Sequence, residues 1–268
     1  MITLIKLGGS LITDKKLENA FRVDAATRIA AEIADALRNN PDLSLIIGHG
    51  SGSFGHVAAR RHDTIHGVRT PDQWRGFAEV ATVAAELNAL MAKTLSAAGI
   101  PVWRLQPSAS ARAHDGRIVD MALHPLRVAL EHRLIPLVYG DVALDDVRGG
   151  TILSTETVFF YLAQHLQVER ILLLGDVDGV HDHNGVTIPL ITPSNFPEIE
   201  RALGGSAGTD VTGGMETKVR DMLALAQQLP QLSIRILNGS TPGLLITALL
   251  DTQPVGTLIR ADDPALPN

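Results

Sequence analysis

Residues 48–56 read GHGSGSFGH, nine residues with four glycines, and they follow directly on the apolar run LSLII (43–47). Few stretches constrain a fold more. A short apolar run bounded by glycine reads as a buried strand. A glycine loop at its end lets backbone N–H groups approach an anion with no side chain in the way. The pattern recurs: KLGGS closes ITLIKL (2–7), YGD follows IPLV, GDVDG follows RILLL, and LNG follows SIRI. Ligands of open α/β sheets bind beyond the carboxyl ends of strands. Several glycine-bearing strand ends in one chain therefore imply a site for more than one phosphoryl group.

The rest of the chain supplies helices between these strands. Residues 23–38, 72–98 and 122–132 carry apolar positions at helical spacing, and STETVFFYLAQHL opens on a Ser-x-x-Thr cap. DVTGGMETKVRDMLALAQQL reads as a loop into a helix, and TPGLLITALL as another helix. VWRL (102–105), IPLVYGDV and GTLIR read as further strands, and the Asp115-Gly116 pair signals a hairpin. Strands alternating with helices predict an α/β fold, a three-layer αβα sandwich with a mainly parallel central sheet. No repeat or linker divides residues 1–268, so a single domain is expected, with an N-terminal lobe (1–174) and a C-terminal lobe (175–268) meeting where one set of glycine loops gives way to another.

Composition narrows the function. Hydrophobic residues make up 45% of the 268, but aromatics only 4%, so Val, Ile, Leu and Ala build the interior. With no cysteine, disulfides and thiolate metal sites are excluded. A net charge of −6 argues against a nucleic-acid surface. No apolar run has the length of a membrane span, and Met1 leads straight into a strand. The expectation is a soluble cytoplasmic protein. Of 23 basic residues only five are lysine, and three of them, Lys6, Lys15 and Lys218, lie beside glycine-rich or turn-rich segments. Lysine is a compact point charge suited to phosphate. His181 and His183, in HDHN, read as a solvated turn, and no metal site is expected there.

Neither standard phosphate motif is present. There is no G-x-x-x-x-G-K-[ST], and GSGSFGH lacks the downstream acidic residue of a dinucleotide fold. IKLGGSLITDK, GHGSGSFGH, YGDV, DVDGV, DVTGGMETK and the LNG to PG stretch instead occur in the order seen in the amino acid kinase superfamily. The resemblance covers nearly the whole chain. Within that superfamily, SLITDK, GSFGH and DVTGGM resemble the isopentenyl phosphate kinases, which make isopentenyl diphosphate from isopentenyl phosphate and ATP, a step of isoprenoid precursor synthesis in the alternative mevalonate pathway. The phosphonate kinases that act on fosfomycin share the Phe-Gly-His ending and are the neighbouring alternative. A non-catalytic sensor of nucleotide or small anions is a third reading, against which Lys6, Lys15, His56 and Lys218 speak together.

The resemblance implies roles. Lys6 reaches between the nucleotide's terminal phosphates and the transferred group, and Gly8, Gly9 and Ser10 cradle phosphates through backbone N–H. Lys15 helps neutralise the moving phosphoryl group. Gly50, Ser51, Gly52 and Ser53 form a nest for the acceptor phosphate or the transferred group, with Gly52 also on the ATP side, and His56 closes the nest as a hydrogen-bond donor. His49 reads as a packed or capping histidine. Asp176, Asp178 and Gly179 form a nucleotide-side turn, and Gly214 and Lys218 contact ATP phosphates. Gly140 and Thr155 fall on the acceptor side, Thr155 in place of a common glycine. Glu156 replaces the aspartate that usually orients the lysines. Phe77 and Val80, with Ala81, Ala84 and Ala85 on one helix face, offer an apolar wall for the acceptor's tail or ordinary core. ATP with Mg²⁺ is the implied cofactor set, and a homodimer the usual assembly.

Overall fold

The structure is a computed structural model describing residues 2–14, 16–62, 64, 67–203 and 214–262, with the side chains of 56, 202, 203 and 214 left aside. Its backbone is an eight-stranded sheet. In spatial order the strands are β10 (Leu190–Ile191), β12 (Thr257–Arg260), β11 (Ser233–Asn238), β9 (Val168–Gly175), β1 (Ile2–Leu7), β2 (Ser44–His49), β6 (Ile135–Tyr139) and β3 (Val102–Arg104). All neighbours pair in parallel except β11 with β12.

Alternation along the strands decides the layering. Leu4, Ile171 and Leu173 face one cluster, Ile5, Leu7, Leu172 and Leu174 the other, as a period of two demands. Helices α5 (His124–Glu131), α6 (Thr155–His165), α7 (Phe196–Leu203) and α8 (Gly214–Gln228) cover the first face. The second is covered by α1 (Gly9–Ile12), α2 (Val23–Asn39), α4 (Pro71–Ala97) and α9 (Leu244–Leu250). α4 starts on a full capping box, in which Thr70 and Gln73 each accept from the other's backbone N–H. Between β2 and α4 lies α3 (Gly52–Arg61), so the glycine stretch expected to be a loop is already helical from Gly52.

IPLVYGDV, expected to be one strand, is two. β6 ends at Tyr139, and after Gly140 the chain enters β7 (Asp141–Asp145) of a separate four-stranded sheet ordered β5 (Arg117–Asp120), β4 (Arg112–His114), β7, β8 (Gly149–Leu153). The β4–β5 hairpin turns at Asp115 and Gly116 with φ of 49° and 80°, the left-handed pair that Asp-Gly favours. Asp145, 5% exposed, ties the β4–β5 and β7–β8 turns together. Its carboxylate accepts from the backbone N–H groups of Asp115 (3.1 Å), Gly116 (2.7 Å), Val147 (2.9 Å) and Arg148 (2.8 Å). Burial alone would raise its pKa; the four N–H donors, Arg148 foremost, outweigh it and hold the carboxyl below the ordinary range.

A folded-state pKa below the unfolded value stabilises above the unfolded pKa, and the benefit is lost as pH falls through the folded one. Asp145→Asn should therefore destabilise the protein by about 2 kcal/mol near neutrality, and by less in acid. Urea melts of both proteins at pH 7 and pH 3.5 check this, and an equal gap at the two pH values would contradict it.

Candidate active site

The parallel registers bring five strand ends to one edge. Leu7 pairs with both His49 and Leu174, His49 with Tyr139, and Asn238 with Gly175. The glycine after each strand then adds one more rung: Gly8 N–H donates to Leu174 O (2.8 Å), Gly50 to Leu7 O (3.0 Å), Gly140 to His49 O (3.0 Å) and Gly239 to Gly175 O (2.8 Å). These N–H groups serve the sheet. The next residues, Gly9 and Gly52, open α1 and α3, and the N–H group at the start of a helix has no partner within it. The two turns touch each other: a Cβ on Gly9 would lie 2.5 Å from Gly52 N and 2.6 Å from Gly52 Cα. Only glycine permits this contact. Gly52 also has φ +51°, and a Cβ there would strike the Thr13 hydroxyl.

Beside this contact sits the charge. Lys6 Nζ, near the end of β1, lies 2.7 Å from Glu156 Oε1 in the first turn of α6. Both side chains are largely buried. Burial disfavours the Glu156 anion, but the Lys6 ammonium overcomes it through charge and hydrogen bond, Lys218 adds its positive charge, and the carboxyl stays below its ordinary pKa. Lys218 occupies the second turn of α8. Glu156 is thus an anion paired directly with Lys6, with Lys218, far away in sequence, contributing through its charge.

Behind β2 a chain of hydrogen bonds runs inward from the exposed Arg104 to the buried Asn88 and His49. Arg104 Nε donates to Asn88 Oδ1 (2.8 Å), Asn88 Nδ2 donates to His49 Nε2 (3.1 Å), and His49 Nδ1 donates to Gly50 O (3.1 Å). The imidazole, fully buried, stacks on Tyr139 with ring centroids 5.7 Å apart. Burial, helped by the Arg104 charge and opposed by the Gly50 bond, lowers its pKa to about 4. His49 is therefore neutral packing. Thr155 Oγ1 donates to His49 O (2.6 Å) and is 1% exposed, so it and Gly140 both brace this strand end.

The remaining expected residues divide between two places. Asp176 and Asp178 are exposed beyond β9; Asp178 Oδ1 accepts from Asn238 Nδ2 (2.8 Å), and Gly179 packs on Thr257. Gly214 opens α8. On the other side Phe77, Val80 and Ala81 pack with Ala58, Ala59, Val142 and Ile152, a small apolar cluster on α3, α4, β7 and β8. Ser53 is buried and its hydroxyl has no partner among the described residues, while its N–H donates to Thr13 Oγ1 (3.0 Å). Lys15 and the side chain of His56 lie outside the described residues. Thr13, Asn88 and Arg104 were not singled out from sequence. Asn88 offered a signal, as the polar residue interrupting the buried Ala84, Leu87, Met91 stripe of α4.

A mainly parallel sheet with lysines and apposed glycine turns at its carboxyl edge defines a class, and the chain belongs to the amino acid kinase family, whose sequence model matches residues 1–238. Within that family it is similar to isopentenyl phosphate kinases. The enzyme of Methanothermobacter thermautotrophicus is 38% identical over 267 residues, covering 96% of this chain and 98% of the relative. That of Methanocaldococcus jannaschii is 35% identical, covering 83% and 86%. A solved structure described as an X-ray structure of isopentenyl phosphate kinase superposes with a TM-score of 0.81 at 33% identity, covering 97% of this chain and 100% of that one.

A histidine whose pKa is depressed on folding loses stability for the protein as pH falls, because the unfolded state takes up a proton near 6.5 and the native state only near 4. His49→Gln should flatten the decline in stability between pH 7 and pH 5. Denaturant melts across that range check it, alongside an NMR titration of the His49 ring. A ring titrating near 6.5 would refute the buried neutral assignment.

Proposed function

We propose that the chain transfers the γ-phosphoryl group of ATP to isopentenyl phosphate, giving isopentenyl diphosphate and ADP. The observation that carries this reading is the Lys6, Glu156, Lys218 cluster beside two glycine turns in backbone contact. Two polyanions brought face to face need this kind of positive, water-poor seam. That its relatives are isopentenyl phosphate kinases supports the acceptor.

In this reading the turn at Gly8, Gly9 and Ser10 holds the nucleotide phosphates, with Gly214 and Lys218 from α8 and the Asp176, Asp178, Gly179 turn on the nucleotide side. Residues 1–174 form the acceptor lobe and 175–268 the nucleotide lobe. Ser51, Gly52 and Ser53 at the N-terminus of α3 hold the acceptor phosphate, where the helix dipole favours an anion, and His56 and Lys15 complete the ring of donors. Gly50, Gly140 and Thr155 act one step behind, through the His49 strand end. The acceptor phosphate is largely ionised at neutral pH, so no strong base is needed. Its oxygen attacks the γ-phosphorus as the bond to the β–γ bridging oxygen breaks, and Lys6 neutralises the charge that passes between them. Mg²⁺ would enter with the nucleotide and would supply further neutralisation of the phosphate charge beside Lys6 and Lys218. The apolar cluster around Phe77, Val80, Val142 and Ile152 favours an alkyl tail over the small polar body of a phosphonate antibiotic. A homodimer and a cytoplasmic location complete the proposal; no helix of the described residues is long and apolar enough to cross a membrane.

Phosphorus NMR with ATP, Mg²⁺ and each acceptor tests the reaction. Diphosphate should form from isopentenyl phosphate, with no product from isopentenol, which has a proton to lose and no base poised to take it. Rapid conversion of the alcohol, or turnover of fosfomycin alone, overturns the reading.

Glu156→Gln separates binding from chemistry. It leaves Lys6 without its counter-charge, so ATP should bind at least as well while kcat falls about tenfold, roughly 1.4 kcal/mol. A raised KM for ATP with unchanged kcat would mean that Glu156 serves binding only.

A further inference from the structure

We propose that Thr13 is a positioning residue that sets the spacing between the nucleotide-side turn at Gly8–Ser10 and the acceptor-side turn at Gly50–Ser53. The proposal rests on the phosphoryl-transfer reading above and assigns it a part that contacts neither substrate.

Thr13 follows α1 in extended backbone, φ −135° and ψ 153°, and is 1% exposed. Its Oγ1 donates to Gly9 O (2.7 Å) and accepts from Ser53 N–H (3.0 Å). Thr13 N–H donates to the same Gly9 carbonyl (2.9 Å). One hydroxyl thus holds one group from each turn, 40 residues apart.

The bond to Ser53 takes over a job that normally falls elsewhere. An early N–H of a helix is ordinarily satisfied by the side chain of the N-cap residue. The N-cap of α3 is Ser51, whose side chain makes no capping bond. Thr13 supplies the cap from another element, so the start of α3 is registered against the Gly9 turn and not against its own preceding loop. The glycines make room for this. Gly9 and Gly52 lie in backbone contact, and a side chain at Gly52 would collide with the hydroxyl itself.

Both hydrogen-bonding directions of the hydroxyl are engaged and it is shut off from the surface, so it is not available to a ligand. Its effect on the reaction passes through distance. Displacing a reacting group by about 1 Å can slow transfer on the order of a hundredfold, and Thr13 is a direct hydrogen-bonded link between the two turns that hold the reacting groups.

Thr13→Val keeps the shape and the β-branch that suit the extended backbone but removes the link; Thr13→Ser keeps the link. The Ser53 amide should be protected from hydrogen exchange in the ligand-free wild type and in Thr13→Ser, and should exchange freely in Thr13→Val. With ATP and isopentenyl phosphate, kcat of Thr13→Val should fall at least about tenfold, with each KM within about threefold of wild type, and Thr13→Ser should recover most of it. If Thr13→Val does not fold by circular dichroism, Thr13→Ala is read in the same way. Retained turnover overturns the proposal even if protection is lost, as does a fall in turnover with Ser53 still protected or with both Val and Ser variants equally slow. Wild type that transfers nothing to isopentenyl phosphate defeats the functional reading instead, and Ser53 exchange then decides by itself whether Thr13 joins the two turns.

Discussion

Two stretches of backbone, at Gly9 and at Gly52, lie against each other with no side chain between them. The contact exists because β1 and β2 pair in parallel and in a register that ends both strands at the same level, Leu7 opposite His49. Two anion-binding turns leaving neighbouring strands at that level come as close as polypeptide allows. A slip of one residue in the β1–β2 register would turn the side chains of one strand toward the wrong helix layer and part the turns. The apolar alternation that builds the two layers of core is therefore also what brings the two glycine turns together.

Electrostatics complements that geometry locally. The chain is acidic overall, yet its site joins Lys6 and Lys218 around one carboxylate. A largely buried ion pair contributes little net stability, since desolvation offsets attraction, while removing one member leaves a stranded charge. Glu156 is better understood as a counter-charge that fixes the Lys6 ammonium in place, with the Lys218 charge adding to the same local field. Behind it, Arg104, Asn88 and His49 form a line of directed hydrogen bonds ending on the Gly50 carbonyl, so the acceptor turn is held from within the protein as well as from Thr13.

Much of this was legible in the chain. The runs that became β1, β2, β9 and β11 are short, apolar and closed by glycine, and α4 announces itself by Pro71 and a long apolar stripe. The Asp115-Gly116 turn formed as its chemistry requires. Two features were hidden. IPLVYGDV carries its glycine at a strand end, but nothing local shows that the chain re-enters extended structure at Asp141 in a different sheet. The helix beginning at Gly52 is masked by glycine and serine, poor helix formers, and is held by tertiary packing of Phe54, Ala58 and Ala59. The site was legible where motif and charge coincide, at Lys6 and Lys218. It was opaque where a residue works on a distant one, as Thr13 does on Ser53 and Asn88 on His49, because local patterns carry no information about partners 40 residues away.

The departure of the chain at Gly140 and its return at Ser154 have a consequence for how such an enzyme can diversify. The four-stranded sheet is built of two hairpins, and its β7 and β8, which lie between β6 and α6, furnish Val142 and Ile152 to the apolar cluster. Lengthening a hairpin loop or changing a side chain there reshapes the wall of that cluster. It leaves the register of β1, β2 and β9 untouched, since none of them pairs with the small sheet. On the proposed assignment of the sites, selectivity for the body of the acceptor and competence toward its phosphate would lie in separate pieces of architecture, so that the first could drift under selection while the second stays constant.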